Sequence, residues 1–414
     1  MKKDLPSAIV LYHFFYPDDV VSARHFSDLS EELGNRGWKV SALTSNRFCR
    51  YPKKKIGQRK EDWKGVQVVR VPRPGWNQAR DIPRMANSIW MMGAWLLKLM
   101  ALPKVDVMII GSDPQFSQFL FPLVKWLKRA TVIAFWCYDL YPEAILANGA
   151  SPPVRWAARR LKGFMKMAYQ SVDLIADLGP CMRRRLDLYS PKAVRATLTP
   201  WALLEPGQIH PPDSETREQL FGREAALTLL YSGNMGKAHH FHLFLDLARR
   251  VSQLHPGIVF CFACRGNREK ELKASIQPND LNIRLAPFAD ESDLEKRLNS
   301  ADIHLLSLQQ EWEGIVLPSK FFGSLAVGKP VLYAGPKNSS IARWVEAFDV
   351  GLVLTPENLE EVAQALVTLA DDRKQIEQWQ YRALRAYELN FSKKRVMDQW
   401  DGDLKKLLGG SAAL

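Results

Sequence analysis

Two lysines stand where an apolar run gives way to a helical pattern, and that placement is the first chemical clue in the sequence. In "LLYSGNMGKAHHFHLFL" (229–245) the apolar run ends in Tyr231, passes through Gly233, Asn234 and Gly236, and reaches Lys237 before a helix-like stretch resumes. In "EWEGIVLPSKFFGSLAVGKPVLYAG" (311–335) the loop carries Gly314 and Pro318, and Ser319 and Lys320 open the following helix, with Ser319 as its cap. Glycines let the backbone turn closely, a helix start presents unpaired amides and the positive end of its dipole, and a lysine adds a full charge. That combination suits an anion, most simply a phosphate. A glycine turn with a solvated lysine is the plain alternative for the first stretch, since short glycine motifs are weak evidence. The second stretch strengthens the phosphate reading, because a lysine at a helix start is electrostatically misplaced without an anion. Lys237 and Lys320 together point to one shared diphosphate.

The elements that must position these residues follow a repeated rhythm. Strand-like runs "AIVLYHFF", "KVSALTS", "VQVVRV", "VDVMIIG", "TVIAFWC" and "VDLIADLG" alternate with helical stretches such as 24–36, 84–102 and 116–128. After a break rich in Pro, Gly and polar residues, the rhythm restarts with "LTLLYSG", "IVFCFACRG", "NIRLAPF", "DIHLLSL", "PVLYAG" and "GLVLT", and from about 357 onward it is helical. Strands buried on both faces and separated by helices predict parallel, doubly wound α/β sheets. The boundaries predicted are an N-terminal domain over 1–205, a linker over 206–222, a C-terminal domain over 223–390, and a C-terminal helix over 391–414 that packs back on the first domain. Two such domains are expected to face across a cleft, with ligands bound at the carboxyl ends of the strands.

With 414 residues, 47% hydrophobic and 24% charged, the chain has the composition of a soluble globular protein. No leader-like pattern opens the sequence, and five irregularly spaced cysteines describe no disulfide framework, so a cytoplasmic location is expected. Cys261 and Cys264 form a CxxC inside an apolar strand, where alternation sends the thiols to opposite faces and argues against metal or redox chemistry. The formal charge of +13 predicts an anionic partner. "VRWAARRLKGFMKMAY" (154–169) mixes cations with Trp156, Phe164 and Tyr169, which reads either as a membrane-surface helix or as a solvated face. No nucleic-acid signature accompanies the basic runs, so nucleic acid is not an expected partner. "SIWMMGAWLLKLMAL" (88–102) is interrupted by Lys98 and too short to span a bilayer, which predicts a buried or surface-lying helix.

Across nearly its whole length the sequence resembles the family 4 retaining glycosyltransferases of GT-B fold, especially the bacterial group that builds surface and extracellular polysaccharides. "YSGNMGKAH" and "LPSKFFGSLAVGKPV" carry the resemblance most strongly, supported by "DLYPEAILANGA", "VDLIADLGPCMRRRL", "TPWALLEP" and "FACRGNREKEL". It implies a nucleoside-diphosphate sugar as donor substrate, a UDP-sugar as the first expectation, with no further cofactor. It also implies that Gly233, Asn234, Gly236, Lys237 and Arg265 hold the donor. By the same resemblance the loop from Glu313 through Leu317, Pro318 and Ser319 to Lys320 lies against the donor sugar and diphosphate, and "LAPFAD" (285–290), with Phe288, borders the base. Many relatives carry two glutamates eight positions apart; here these positions read Ile315 and Gly323, so Glu313 serves only if the loop is shifted, and ribose recognition is left without its usual carboxylate.

In the N-terminal domain "YPDDVVSARHFS" replaces a usual glycine pair, and Asp18, Asp19, Ser22 and Arg24 are expected to line the acceptor side. Tyr138 precedes Asp139 where relatives often have histidine or arginine, and it is expected on the acceptor side with Glu143; Asp139 and Glu143 either position the acceptor or sugar, or serve as a helix N-cap and a first-turn acid. His13 and His239 are either sugar contacts or incidental histidines. Expected catalytic residues are Lys237, Lys320, Asp139 and Glu313. With no Asp-x-Asp in the loops assigned to the cleft, transfer is expected to be metal-independent. The expected partners are a nucleotide sugar, a glycan or polyprenyl-linked acceptor, and the inner-membrane surface. An inactive glycan-binding or scaffold subunit and a sugar-nucleotide epimerase are the alternatives.

Overall fold

The computed structural model of the chain describes residues 5–288 and 291–411. It divides into two compact units, one running to Thr199 and taking in the chain from Val396 onward, the other running from Pro200 to Arg395.

In the first unit the strands are β1 (Ser7–Leu11), β2 (Lys39–Ser45), β3 (Lys60–Trp63), β4 (Val66–Val71), β5 (Val105–Gly111), β6 (Ala130–Trp136), β7 (Leu174–Asp177) and β8 (Val194–Thr197). Its helices are α1 (Val21–Asn35), α2 (Asp81–Ala101), α3 (Leu120–Trp126), α4 (Glu143–Ala147), α5 (Pro152–Tyr169) and α6 (Pro180–Asp187). The strand order is β3-β4-β2-β1-β5-β6-β7-β8, so the winding reverses beside β1, between its neighbours β2 and β5. Every pairing is parallel except β3 with β4. That edge hairpin, absent from the sequence reading, is made by Lys64 (φ 51°) and Gly65 (φ 80°), whose left-handed pair suits a two-residue hairpin turn.

Adjacent residues of β6 show which helices share a face. Phe135 packs against Phe121 of α3 and Tyr169 of α5, whereas Trp136 packs against Phe26 of α1 and against Trp400. Trp400 belongs to the last helix of the chain (Lys393–Ser411), which is further tied down where Trp38 Nε1 donates to Asp401 at 2.7 Å. A strand's alternation therefore puts α3 and α5 on one side of the sheet, and α1 and the terminal helix on the other.

In the second unit α7 (Ser214–Phe221) comes first and lies within the stretch read from sequence as a linker. Asp213 caps it through the Thr216 amide, and Arg217 anchors it to Asp302 at 2.9 Å. This explains the difference: the polar residues of 206–222 serve as a cap and an ion pair. Then follow β9 (Leu227–Asn234), α8 (His242–Leu254), β10 (Ile258–Arg265), α9 (Glu269–Ser275), β11 (Ile283–Leu285), α10 (Leu294–Ser300) and β12 (Ile303–Ser307). After them come α11 (Lys320–Ala326), β13 (Val331–Ala334), α12 (Ser340–Phe348), β14 (Gly351–Leu354), α13 (Leu359–Asp371), α14 (Lys374–Asn390) and, crossing out of the unit, α15, the terminal helix. The sheet is parallel in the order β11-β10-β9-β12-β13-β14, with its reversal between β9 and β12. Cys261 and Cys264 fall in separate hydrophobic clusters, and burial pushes the thiols up to about 12 and about 11 respectively.

Candidate active site

At the reversal point of the second unit, the loops that follow β9 and β12 are stitched together. Gln309 takes the Ala238 carbonyl with its amide N–H at 2.8 Å and donates its side-chain amide to the carbonyls of Lys237 and His239, each at 3.0 Å. His239 Nδ1 donates to the Ser307 carbonyl at 2.7 Å, which fixes its tautomer and leaves Nε2 as an acceptor. Burial, with Lys320 nearby, lowers His239 to about 3, so the ring is neutral near neutral pH. Arg268 closes the loop from the other side, donating to the His239 carbonyl at 2.7 Å and pairing with Glu271. A reversal point of this kind is where open parallel sheets bind ligands.

Lys320 reaches back from the start of α11 and donates to the Asn234 carbonyl at 2.8 Å, with its ammonium 5.0 Å from the centre of the Tyr231 ring. Burial lowers it to about 8. Gly233 is required twice here: its φ is 131°, and a Cβ would sit 2.5 Å from Lys320 Cε. Gly236 differs from expectation. Its φ lies outside the left-handed region, and a Cβ there would approach only the Asn234 side chain, at 3.3 Å, so the turn does not demand glycine at that position. Lys237 is exposed in a turn, five residues ahead of α8, which starts at His242 rather than at 239. The β9 loop therefore places Lys237 by way of its own turn and not on the helix end. Ser319 makes no side-chain cap to α11.

The loop before Lys320 is built from a short helical turn (Gln310–Trp312) that continues into a turn through Glu313 and Gly314, the latter at φ 69°. Leu317 packs on the cluster containing Phe321 and Phe322, and Pro318 accepts from the Phe321 amide. Arg265 stacks over Phe288 at 3.8 Å, joining two residues assigned separately from sequence. Residues 289 and 290, the end of the segment expected to border the base, lie outside the described residues. A Cβ at Gly323 would meet nothing within 4 Å.

At the reversal point of the first unit, His13 follows β1 and Asp113 follows β5. The two are joined twice: His13 Nδ1 donates to Asp113 Oδ1 at 2.9 Å, and the His13 amide to the Asp113 carbonyl at 3.0 Å. His13 is fully buried, which lowers its pKa against the opposing pull of Asp113, and its Nε2 has no hydrogen-bond partner. Asp139 follows β6, with its amide held by Ser112 Oγ at 3.0 Å. Burial, then the charge of Asp113, raise Asp139 to about 6 while Arg84 opposes them. His13, Asp113 and Asp139 thus form one cluster in which burial favours the neutral form of both His13 and Asp139.

Several expected acceptor residues are occupied internally. Asp18 is buried and accepts from the amides of Cys49 (2.6 Å) and Val20 (3.2 Å), so it braces its own loop. Glu143 is buried and accepts from the Tyr189 hydroxyl at 2.5 Å, and Pro142, not Asp139, occupies the N-cap of α4. Tyr138 turns its ring onto Phe26 and Trp136 and leaves its buried hydroxyl unpaired. These three are packing and bracing groups. Asp19 pairs with Arg50, Ser22 bonds to Tyr12, and Arg24 is partly exposed on α1. Asp113, Arg84 and Gln309 escaped the sequence reading because their partners lie far away in the chain, and the only available signal was their position just after an apolar run or inside a helix.

Comparison with known proteins gives a consistent picture. Residues 22–201 match the glycosyl transferase 4-like domain and residues 213–386 match glycosyl transferases group 1. The chain is 22% identical over 379 residues to the colanic acid biosynthesis glycosyl transferase WcaI of Escherichia coli K12, covering 86% of this chain and 91% of that one. It is 22% identical over 298 residues to the glycosyltransferase WbjE of Pseudomonas aeruginosa, covering 71% and 73%. Sucrose-phosphate synthase from Thermosynechococcus elongatus shares the fold with a TM-score of 0.73 at 13% identity, covering 98% of this chain and all of that one.

Proposed function

Because the chain belongs to the family 4 glycosyltransferases of GT-B type, related to enzymes of surface polysaccharide biosynthesis, we propose that it moves a sugar with retention from a nucleoside-diphosphate donor to a lipid-linked glycan. One observation carries the donor assignment: Lys320 bonds to the carbonyl of Asn234, so a second cation joins the β9 loop that holds Lys237. Diphosphate oxygens bound there meet two ammonium groups, and as the bond from the anomeric carbon to the phosphate oxygen breaks, the developing charge falls on them. The acceptor oxygen forms its bond on the same face and passes its proton to the departing phosphate oxygen. His239, neutral and with Nε2 free to accept, is suited to a sugar hydroxyl. On the acceptor side, Asp139 and the His13–Asp113 pair supply carboxylate and imidazole groups for orienting a hydroxyl.

Titration with UDP, GDP and ADP tests this reading, with sugar transfer assayed in the presence and absence of a chelator. Lys237→Ala and Lys320→Ala should each weaken diphosphate binding by at least tenfold, the size of a lost charge-assisted contact. Unchanged binding in both variants would discard the assignment. A second reading has its own observation, the open space at Gly323 where relatives carry the ribose-gripping glutamate. An inactive glycan-binding subunit would bind no nucleotide diphosphate and would transfer no sugar.

A further inference from the structure

Helices α2, α3 and α5 lie on one side of the first sheet. Phe121 and Tyr169 pack on Phe135, and Leu99 of α2 shares a small cavity with Ile9, Ser41 and Met108. Met108 pairs in register with Ile133, which points the same way as Phe135. The outer surface of these helices has a composition that water alone does not explain. On α5 the buried seam is Ala158, Met165, Ala168 and Tyr169. Helical spacing divides the rest into two ridges. Trp156, Phe164 and Met167 form a mainly apolar ridge in which Arg160 lies over the Trp156 ring at 5.1 Å, and Arg155, Arg159, Lys162 and Lys166 form a basic one. Residues 152–169 include no carboxylate.

On α2, Met91, Trp95 and Leu99 face the core, while Ile82, Ile89, Leu97 and Met100 form an opposite stripe with exposures of 85%, 62%, 67% and 53%. Trp126, at the end of α3 and beside Lys125 and Lys128, is 78% exposed. A helix that is apolar all round is ordinarily covered. No helix among the described residues is long and apolar enough to cross a membrane.

We propose that this face docks on the surface of an anionic lipid bilayer, with the apolar ridge of α5 and the outer stripe of α2 seated at the headgroup boundary and the basic ridge of α5 on lipid phosphates. Charge selects this occupant. A symmetric contact between two copies through the same face brings two carboxylate-free basic ridges together, whereas an anionic bilayer satisfies both ridges at once. The placement supports the reading of the acceptor as lipid-linked, yet its test does not depend on sugar transfer.

Full-length protein is sedimented with vesicles of phosphatidylcholine alone and of phosphatidylcholine with about one-third phosphatidylglycerol, and the melting temperature of each variant serves as the control for folding. The expected result is binding to the anionic vesicles that weakens with salt. R155Q/R159Q/K162Q/K166Q, all at exposed positions, should lose more than about a hundredfold in partitioning, at roughly fivefold per cation. Leu97→Ser with Trp156→Ser should lose the salt-resistant part. Equal partitioning to both vesicle types, or an unaffected quadruple variant, overturns the proposal. So does a lipid-free dimer that Leu97→Ser with Trp156→Ser converts to monomer, because the face would then belong to a second copy.

Discussion

Lys320 and Gly233 are 87 positions apart and occupy the same space: the lysine's aliphatic stem fills the volume that a Cβ at Gly233 would take, 2.5 Å from Cε. The glycine in "YSGNMGK" thus serves both a left-handed turn and the passage of a cation from another loop. Gly233→Ala imposes backbone strain of about 1–3 kcal/mol and displaces Lys320. Urea denaturation should show the loss of stability, and titration with a nucleoside diphosphate should show a loss of affinity comparable to that of Lys320→Ala. A Gly233→Ala protein with full affinity would separate the glycine from the lysine.

The depressed pKa of Lys320, about 8, gives diphosphate binding a pH dependence. The charged form binds the anion, so affinity should be level below pH 8 and fall about tenfold per unit above it. Lys320→Arg, whose guanidinium stays charged, should remove that inflection. The linkage to stability has the opposite sense. A folded pKa below the unfolded one means that burying the ammonium costs stability in full below pH 8, and this cost is relieved as pH rises from about 8 towards the unfolded value of 10.5. Calorimetry of binding and of unfolding across this range reads the two effects separately.

Asp139 titrates near 6, inside the working range of most enzymes. If its ionised form orients the acceptor, kcat/KM for the acceptor should fall about tenfold per unit below pH 6, and Asp139→Asn should be slow and flat over the same range. Its raised pKa also means that the fold loses stability as pH rises from about 4 to 6, and Asp139→Asn should abolish that slope. A pH–rate profile of the variant that keeps the wild-type acid limb would remove Asp139 from this role.

Asp302 anchors α7 and α14 to the second sheet, accepting from Arg217 and Arg373 and from the amide and hydroxyl of Thr228. Burial opposes ionisation, but the hydrogen bonds from Arg373 and Arg217 outweigh it and hold the carboxyl at about 2. Asp302→Ala should cost about 1–3 kcal/mol, because it leaves the buried amide and hydroxyl of Thr228 without their acceptor, while the guanidinium groups of Arg217 and Arg373, 21% and 39% exposed, keep access to water. The stabilisation is present above the unfolded pKa near 4 and is lost as pH falls through 4 towards 2, so acid unfolding of the variant should lack this step. Denaturant melts at pH 7 and pH 3 check both statements.

Local pattern was enough to read most of the strands, the restart of the rhythm after residue 222 and the helix start at Lys320, because alternation and helical spacing are properties of neighbouring residues, whereas the turn that separates Lys237 from α8 was not legible. The hairpin of β3 was hidden among cations, since an edge strand needs no apolar face. The charge and apolar content of residues 154–169 were equally legible, but their division into two ridges required knowing which residues of α5 the sheet had buried.

What only the tertiary structure decided was which polar groups are free to act. Asp18, Glu143 and Asp139 are all carboxylates beside turns in the sequence, yet the first two are consumed by an amide pair and a tyrosine hydroxyl while Asp139 titrates near 6. His13 and Asp113 come together across 100 positions because β1 and β5 are neighbours in the sheet. Strand order is a non-local outcome of packing, and the reversal points that assemble a site follow from that order, so no spacing within a single segment encodes them.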